Sequence, residues 1–253
     1  LERYGIIHFV MPALTQKLGI LFNPSSAKLV ETQSTYQSLS EQLIDQLGPH
    51  GSFHHNFHET FTDWLPFHWN GFSQTTRYTY VIDDLSSVDA MWDGMRSPQR
   101  RSIKKAEKQG LTIRDDLSLD EFLELNRKTF TRQGKQPLAS DELIRRVDAA
   151  CLANAGRSIL SGVDSQGRVH AAVYIAWFGN TAFYLMGGSE PELRDSGAQL
   201  LAMWEALKMA RSLVKRFDLK AQCSHKSNES FEVSVPNRFR IARSSIPRHP
   251  LAH

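Results

Sequence analysis

The alternation of apolar and polar residues is most regular between residues 110 and 219. Short stretches there have the period of two that a half-buried strand requires, and longer stretches have apolar residues at spacings of three and four, as on one face of a helix. The predicted order is one strand, two helices, three antiparallel strands, one helix and one strand. These elements fall at residues 110–116, 118–134, 139–156, 157–190, 197–213 and 214–219.

The pattern before residue 96 is weaker and predicts a separate group of strands with one helix. Leu39, Leu43 and Leu47 lie at a spacing of four, and Gly48 follows them, so residues 35–48 are predicted to form a helix that ends at the glycine. The predicted strands are residues 5–14, 17–22, 52–59 and 72–83.

A basic helix is predicted between these two regions, at residues 97–110. Ser97 is placed as its N-cap, Pro98 at its first helical position and Gly110 as its stop. Its cations would either hold the phosphates of a nucleotide-linked substrate, a tRNA or a coenzyme, or form a solvated helix face. These five candidate phosphate-binding residues are Arg100, Arg101, Lys104, Lys105 and Lys108.

Composition narrows the class of protein. The chain has 253 residues and is 41% hydrophobic, which suits one large or two small globular domains. Its net charge of +3 is too small to indicate a nucleic-acid partner, and we expect no binding to DNA. No apolar run is long enough for a membrane span. Cys151 and Cys223 make neither a disulfide framework nor a zinc site, so a reducing, cytoplasmic setting without a metal is predicted.

Four segments, residues 74–95, 100–113, 169–210 and 215–219, resemble the FemAB-like branch of the GNAT acyltransferase superfamily. The resemblance implies an α+β fold with tandem GNAT-like halves, each a mixed, mostly antiparallel sheet flanked by helices. We expect the first half to be truncated at its N-terminus and the second half to lack its last strands. The implied parts are a first GNAT-like half at 1–95, a basic connecting helix at 96–110, a second half at 111–219 and a non-native, disordered tail at 220–253.

The same resemblance implies a donor-binding loop before the helix at 197–213. In GNAT enzymes the first turn of this helix holds the diphosphate of the acyl donor, because a helix N-terminus offers unpaired N–H groups and a positive dipole end. Gln199 departs from the family pattern, which has glycine or alanine there. The alternative is that Gly197 only starts a helix. The candidate donor-binding residues are Arg194, Ser196, Gly197, Ala198 and Gln199.

The implied activity is N-acyl transfer, with an acetyl or other acyl group passing from a coenzyme A thioester to a small-molecule amine. One alternative is a Fem-type transferase that uses aminoacyl-tRNA and acts on a cell-wall precursor. Another is a degenerate, non-catalytic binding module. The sequence does not single out the group that accepts the proton of the amine. Candidate catalytic residues are Tyr174, Tyr184, Glu190 and Glu205.

Hydrophobic periodicity is lost after Leu219, where the resemblance implies a continuation Glu-Gly-Ser-Met and later Phe-Arg-Gly-Phe-Gly-Ala. One added base before the codons of Lys220 to Cys223 allows synonymous codons to read Glu-Gly-Ser-Met, and the same shift recovers the later segment in order. We therefore interpret the tail as the product of a frameshift, with a divergent natural tail as the alternative. The chain as it stands is predicted to be inactive and poorly stable, with the strand from Val214 near an unpaired sheet edge.

Sequencing of the gene across the codons for Asp218 to Arg243 tests the frameshift hypothesis. The expected result is one additional base that restores the family ending. A confirmed present frame would show that the tail is genuine, and the hypothesis would then be discarded.

Overall fold

The structure is a computed structural model that describes residues 2–3, 5–137, 139–219 and 239–248. The chain divides into two compact units, one of Leu1–Tyr78 with Ala242–His253 and one of Thr79–Ile241. The second unit contains the region with the regular hydrophobic pattern. No helix among the described residues is both long and apolar enough to cross a membrane.

The first unit contains a small sheet and an aromatic core. Its first two strands are antiparallel, and the second and third are parallel. Phe53, Phe57 and Phe67 are buried together, and the ring centroids of Phe57 and Phe67 lie 5.0 Å apart. The elements are β1 (Glu2–Arg3), β2 (Ile6–Phe9), α1 (Leu29–Gln46), β3 (Ser52–Phe53) and α2 (Leu65–Trp69).

The strand predictions for this unit are only partly confirmed. The predicted strand at 17–22 is wrong, since Leu18 makes only an isolated bridge to Phe57. The predicted strand at 52–59 is confirmed only at Ser52–Phe53. The alternation was misleading because Phe53 and Phe57, four residues apart, enter one aromatic cluster. Burial in that cluster, and not strand pairing, accounts for these apolar positions.

A seven-stranded sheet carries the rest of the fold, in the order β10-β4-β9-β8-β7-β6-β5. The strands from β5 to β8 are antiparallel neighbours, whereas β8 and β9 are parallel. The sheet is therefore mixed, as predicted. Its strands are β4 (Ser73–Ile82), β5 (Thr112–Arg114), β6 (Arg157–Val163), β7 (Val169–Phe178), β8 (Thr181–Ser189), β9 (Arg216–Asp218) and β10 (Phe239–Arg248).

Helices cover both faces of this sheet. One face packs on the largest hydrophobic cluster, to which the fourth and seventh helices contribute Ile103 and Leu207, both fully buried. On the other face, Phe122 of the fifth helix lies against Tyr174 with ring centroids 5.8 Å apart. The helices are α3 (Val88–Asp93), α4 (Ser97–Lys108), α5 (Leu119–Arg132), α6 (Asp141–Ala153) and α7 (Ala198–Ala210).

The basic helix α4 is part of the second unit and does not connect two halves. Ile103 and Ala106 are fully buried in the cluster shared with α7. The helix starts one residue earlier than predicted, at Ser97, because Arg96 is the N-cap and the Gln99 side chain accepts a hydrogen bond from the backbone N–H of Arg96. The units divide after Tyr78, whereas the sequence boundary was placed after residue 95.

The predicted sheet edge at the strand from Val214 is wrong. β9 lies between β8 and β4, and Val81 and Ile82 of β4 pair with Asp218 and Phe217. Within the tail, Phe239–Arg248 forms β10, so disorder through the whole of 220–253 is not what the structure has. The remaining tail, 220–238 and 249–253, and the frameshift position lie outside the described residues.

We predict that Lys17→Met destabilises the first unit in a pH-dependent way. Lys17 Nζ lies 2.7 Å from Glu59 Oε2, and both side chains are nearly buried. Burial would raise the pKa of Glu59, but the hydrogen bond and charge of Lys17, together with a backbone hydrogen bond and the nearby His58, outweigh it and lower the pKa from 4.5 to about 2. A lowered carboxyl pKa stabilises the fold above pH 4.5 and loses that contribution as the pH falls toward 2.

Urea unfolding of the wild-type protein and the Lys17→Met variant measures this contribution. The expected loss is about 1–2 kcal/mol at pH 7, shrinking below pH 4.5. Lys28→Met is the matched control, because Lys28 is exposed and its side chain makes no capping bond. Equal destabilisation by the two variants, or no dependence on pH, would contradict the assignment.

Candidate active site

Pairing on one side of β8 ends in the middle of the strand. β9 pairs with β8 only from Thr181 to Phe183, and its last residue, Asp218, is opposite Phe183. β7 continues to pair with β8 as far as Ser189. Residues 186–189 therefore have no strand partner on their second side within the described part of the chain. We call this stretch the open edge of β8.

A β-bulge lies where the open edge begins. Tyr174 of β7 is opposite Met186, and the next residue, Ile175, is opposite Tyr184, which leaves Leu185 as an extra residue in β8. A bulge bends the strand and changes the direction of its peptide groups, and bulges are frequent beside active sites. The pairing of β8 with β9 thus ends two residues before the bulge in β8.

Two side chains of α5 make hydrogen bonds that a neighbouring strand would otherwise make. Asn126 Nδ2 donates to the carbonyl oxygen of Gly187 at 2.6 Å, and Thr129 Oγ1 accepts from the N–H of Ser189 at 2.9 Å. The N–H and C=O of one strand residue point to the same side. Since the Gly187 carbonyl points away from β7, its N–H also faces the open edge.

Two adjacent glycines allow this close packing. A Cβ at Gly188 would lie 2.7 Å from the backbone nitrogen of Asn126, so a side chain there would push α5 away from β8. A Cβ at Gly187 would overlap the hydroxyl of Tyr184 and lie 2.8 Å from Nε2 of Gln199. The open edge therefore lies close to the backbone of α5 at Gly188 and close to the Tyr184 and Gln199 side chains at Gly187.

Tyr184 is the candidate catalytic residue that lies beside the open edge, with its hydroxyl close to Gly187. Gln199 Nε2, in the first turn of α7, donates to its hydroxyl at 3.3 Å. Burial raises the pKa of Tyr184 to about 12. The hydroxyl therefore keeps its proton at neutral pH, so it is suited to donate a proton and is a poor base. Gln199, the residue that departs from the family pattern, has a role in holding this tyrosine.

The first turn of α7 follows a short 3-10 turn, Arg194–Ser196. Gly197 has φ +84°, in the left-handed region, and is the N-cap of α7. A Cβ there would overlap the carbonyl oxygen of Ser102 in α4. Ser196 Oγ accepts a hydrogen bond from the N–H of Ala198 at 3.3 Å. Gly197 is thus needed for the α4–α7 contact, and the helix start has the geometry that favours an anion.

Only Lys105 of the five basic candidates is brought to this loop. Its ammonium donates to the carbonyl oxygen of Asp195 at 2.6 Å. Lys104 lies over Trp92, 5.9 Å from the ring centroid, and Arg100 lies 3.7 Å from Asp93. Arg101 and Lys108 are exposed. The exposed candidates other than Lys105 fit the alternative of a solvated helix face.

Tyr174 belongs to a buried polar network and not to the open edge. It is fully buried, and its hydroxyl donates to Asp148 Oδ1 at 2.8 Å. Arg157 Nε donates to the same oxygen at 2.7 Å. Burial and the Asp148 carboxylate raise the pKa of Tyr174 far above its usual value. Its position supports a structural role that joins α6, β6 and β7.

Neither carboxylate candidate lies on the open edge. Glu190, the residue after β8, pairs with Lys128 at 2.8 Å. Glu205 pairs with Lys208 at 2.6 Å and lies two turns beyond Gly197 along α7. Sequence analysis missed Asn126 and Thr129. Asn126 continues the apolar stripe of α5 and is 4% exposed, and this buried polar residue on an apolar face was the available signal.

Comparisons with known proteins connect this geometry to a family. Residues 94–223 match the model of the acetyltransferase (GNAT) domain family. No curated protein sequence matches the chain at a significant level.

Solved structures match the fold at low sequence identity. FemX superposes with a TM-score of 0.64 at 12% identity, over 86% of this chain and 76% of that chain. The C-terminal domain of a putative lysylphosphatidylglycerol synthetase from Agrobacterium fabrum gives 0.57 at 11% identity, over 85% and 74%. L-PGS from Bacillus licheniformis gives 0.51 at 10% identity, with the same coverage. The predicted GNAT resemblance and α+β class are thus confirmed.

We predict that Gly197→Ala strongly destabilises the second unit. The variant combines a left-handed backbone with a clash against Ser102, and a loss of about 3 kcal/mol is expected in urea unfolding followed by tryptophan fluorescence. Gly110→Ala is the matched control, because Gly110 has φ +75° but open space around it. Its expected loss is about 1 kcal/mol. Equal losses would show that α4 does not contact α7 at Gly197.

Proposed function

The chain belongs to the acetyltransferase (GNAT) domain family, and from this premise we propose that it transfers an acyl group from a coenzyme A thioester to an amine. The observation that carries the proposal is the open edge of β8. It lies next to Tyr184 and leads to the loop before α7. An extended donor could therefore contact the edge with its acyl end and the helix start with its diphosphate.

The donor is placed by two kinds of backbone group. The N–H of Gly187 faces the open edge and would donate to an amide or acyl oxygen of the donor arm. The first turn of α7, with Ser196 and Lys105 beside it, would hold the diphosphate. Lys105 adds a positive charge that is fixed by its bond to the Asp195 carbonyl.

The transfer itself requires one new bond and two proton movements. The amine nitrogen bonds to the acyl carbon, the carbon–sulfur bond breaks, the nitrogen loses a proton and the leaving thiolate gains one. Tyr184 is protonated at neutral pH and is the group we assign to protonate the thiolate. Solvent accepts the proton of the amine and reprotonates the tyrosine. Most of the rate enhancement would then come from positioning.

A second candidate is aminoacyl transfer from tRNA. The fold match to FemX favours it, and so does α5, since Asn126 and Thr129 already occupy backbone groups of Gly187 and Ser189. A donor arm that pairs with β8 like a strand would have to bond to the Gly187 carbonyl or the Ser189 N–H, which α5 side chains already bond. An aminoacyl ester needs fewer hydrogen bonds of this kind.

The test is a turnover assay with acetyl-coenzyme A and a panel of primary amines, monitored by thiol release. Both the 253-residue chain and a version with its tail read in the shifted frame are assayed. We expect saturable turnover in at least the second protein, and a fall in kcat of about a hundredfold for Tyr184→Phe. Glu205→Gln is the control and should leave kcat unchanged.

The outcomes separate the candidates. Thiol release that depends on the amine and on Tyr184 supports the proposal. Transfer from aminoacyl-tRNA without turnover of acetyl-coenzyme A would replace it with the second candidate. Absence of both activities in both proteins would contradict acyl transfer and favour a binding module.

A further inference from the structure

The face of α5 that packs on β8 changes from apolar to polar along the helix. Phe122 is fully buried and packs on Tyr174, with ring centroids 5.8 Å apart. The next residues on the same face, at spacings of four and three, are Asn126 and Thr129, and both bond to the open edge of β8. Asn126 is 4% exposed. Burial of a carboxamide is unfavourable unless it gains hydrogen bonds, so a polar residue at this position requires a reason beyond packing.

The two polar residues follow the open edge in step with the strand. Three residues of a helix advance about 4.5 Å and two residues of a strand about 6.6 Å, so each side chain stays beside one strand residue. Asn126 Nδ2 donates to the Gly187 carbonyl oxygen at 2.6 Å, and Thr129 Oγ1 accepts from the N–H of Ser189 at 2.9 Å. Asn126 thus supplies a donor and Thr129 an acceptor, as a paired strand would.

The backbone of α5 is held against β8, so rotation of these side chains is the way to free the edge. A Cβ at Gly188 would lie 2.7 Å from the backbone nitrogen of Asn126 and 2.8 Å from the carbonyl carbon of Leu125. The helix and the strand are therefore in close backbone contact. A shift of the whole helix would disturb the buried packing of Phe122, whereas rotation of one side chain between rotamers leaves the helix in place.

Asn126 and the arm of coenzyme A offer the same kind of group to Gly187. The arm contains secondary amides, whose N–H is a donor like the carboxamide N–H of asparagine. An arm that pairs with β8 as a strand places its N–H where Asn126 Nδ2 lies, 2.6 Å from the carbonyl oxygen, and the two groups cannot occupy that position together. Asn126 therefore has to leave before the arm pairs. The affinity for such an arm falls by the fraction of molecules in which the carbonyl is already bonded.

We propose that Asn126 and Thr129 determine donor selectivity, because they occupy the backbone groups of β8 with which an amide-containing donor arm would pair. This inference rests on the proposed function, since it concerns the donor of that reaction. A donor whose arm pairs like a strand has to displace both side chains. A donor held only by the Gly187 N–H and the first turn of α7 does not. The two residues thus weaken binding of the coenzyme A arm and leave binding of its nucleotide end unaffected.

Isothermal titration calorimetry of the 253-residue chain tests this selectivity without any turnover. The probes are coenzyme A and adenosine 3′,5′-bisphosphate, which has the nucleotide end but no arm. Asn126→Ala removes the competing amide, so coenzyme A should bind about threefold to tenfold more tightly, and the bisphosphate with unchanged affinity. Asn154→Ala is the matched control, because Asn154 is exposed and donates to the Ala150 carbonyl oxygen at 2.8 Å, away from β8. Its affinity for coenzyme A should equal that of the wild type.

Thermal unfolding without ligand separates donor selection from a structural role. Asn126→Ala leaves the Gly187 carbonyl without its side-chain partner, so the melting temperature should fall while the affinity for coenzyme A rises. A residue that only supported the fold would lower both quantities. Thr129→Ala repeats the test at Ser189, with the exposed Thr131→Ala as its control, and carries the test alone if Asn126→Ala does not fold.

The outcomes distinguish this inference from the proposed function. Unchanged or weaker binding of coenzyme A by both Asn126→Ala and Thr129→Ala, or an equal gain for the bisphosphate, would overturn the selectivity and leave the proposed function in place. Absence of coenzyme A binding to the wild type and to both variants would overturn both. Tighter binding by the variants without thiol release from acetyl-coenzyme A would overturn the proposed function alone.

Discussion

The end of pairing between β8 and β9 at Phe183 is the constraint on which the candidate site depends. A strand edge inside a sheet leaves backbone groups that need partners. In this protein some of those partners come from α5, through Asn126 and Thr129, and the adjacent glycines bring the helix close enough. The open edge therefore keeps its strand conformation although no strand pairs with it on the side that faces away from β7. A ligand can approach the remaining groups without displacing secondary structure.

The position of α4 has a comparable effect on the other side of the site. A basic helix at the surface would be expected to be independent of the core, yet α4 buries Ile103 and Ala106 against α7. Its contact with Gly197 fixes the start of α7, and Lys105 bonds to the loop that leads into it. The orientation of one cation thus follows from hydrophobic packing. The other basic residues of α4 face solvent, Asp93 or the Trp92 ring and do not reach the loop.

The loop before α7 connects the two groups of residues that we propose to hold the donor. On the β8 side of the loop are the open edge and Tyr184, whose proton is retained at neutral pH. Within the loop, the Asp195 carbonyl oxygen accepts a hydrogen bond from Lys105, and Ser196 Oγ accepts one from the N–H of Ala198. A single loop conformation can therefore influence both ends of a long substrate.

The sequence by itself determined the order of elements from β5 to β9, the mixed α+β class and the glycine before α7, because local periodicity, caps and turn residues encode them. It also indicated the GNAT family. Only the tertiary structure decided that β4 pairs with β9, that Tyr174 is enclosed with Asp148 while Tyr184 lies beside the open edge, and that Lys105 reaches the loop. Alternation assigns a residue to a face of a strand, but it does not say where a neighbouring strand ends. Contacts between residues far apart in the chain, such as Asn126 with Gly187, depend on how helices pack on the sheet, which no local pattern records.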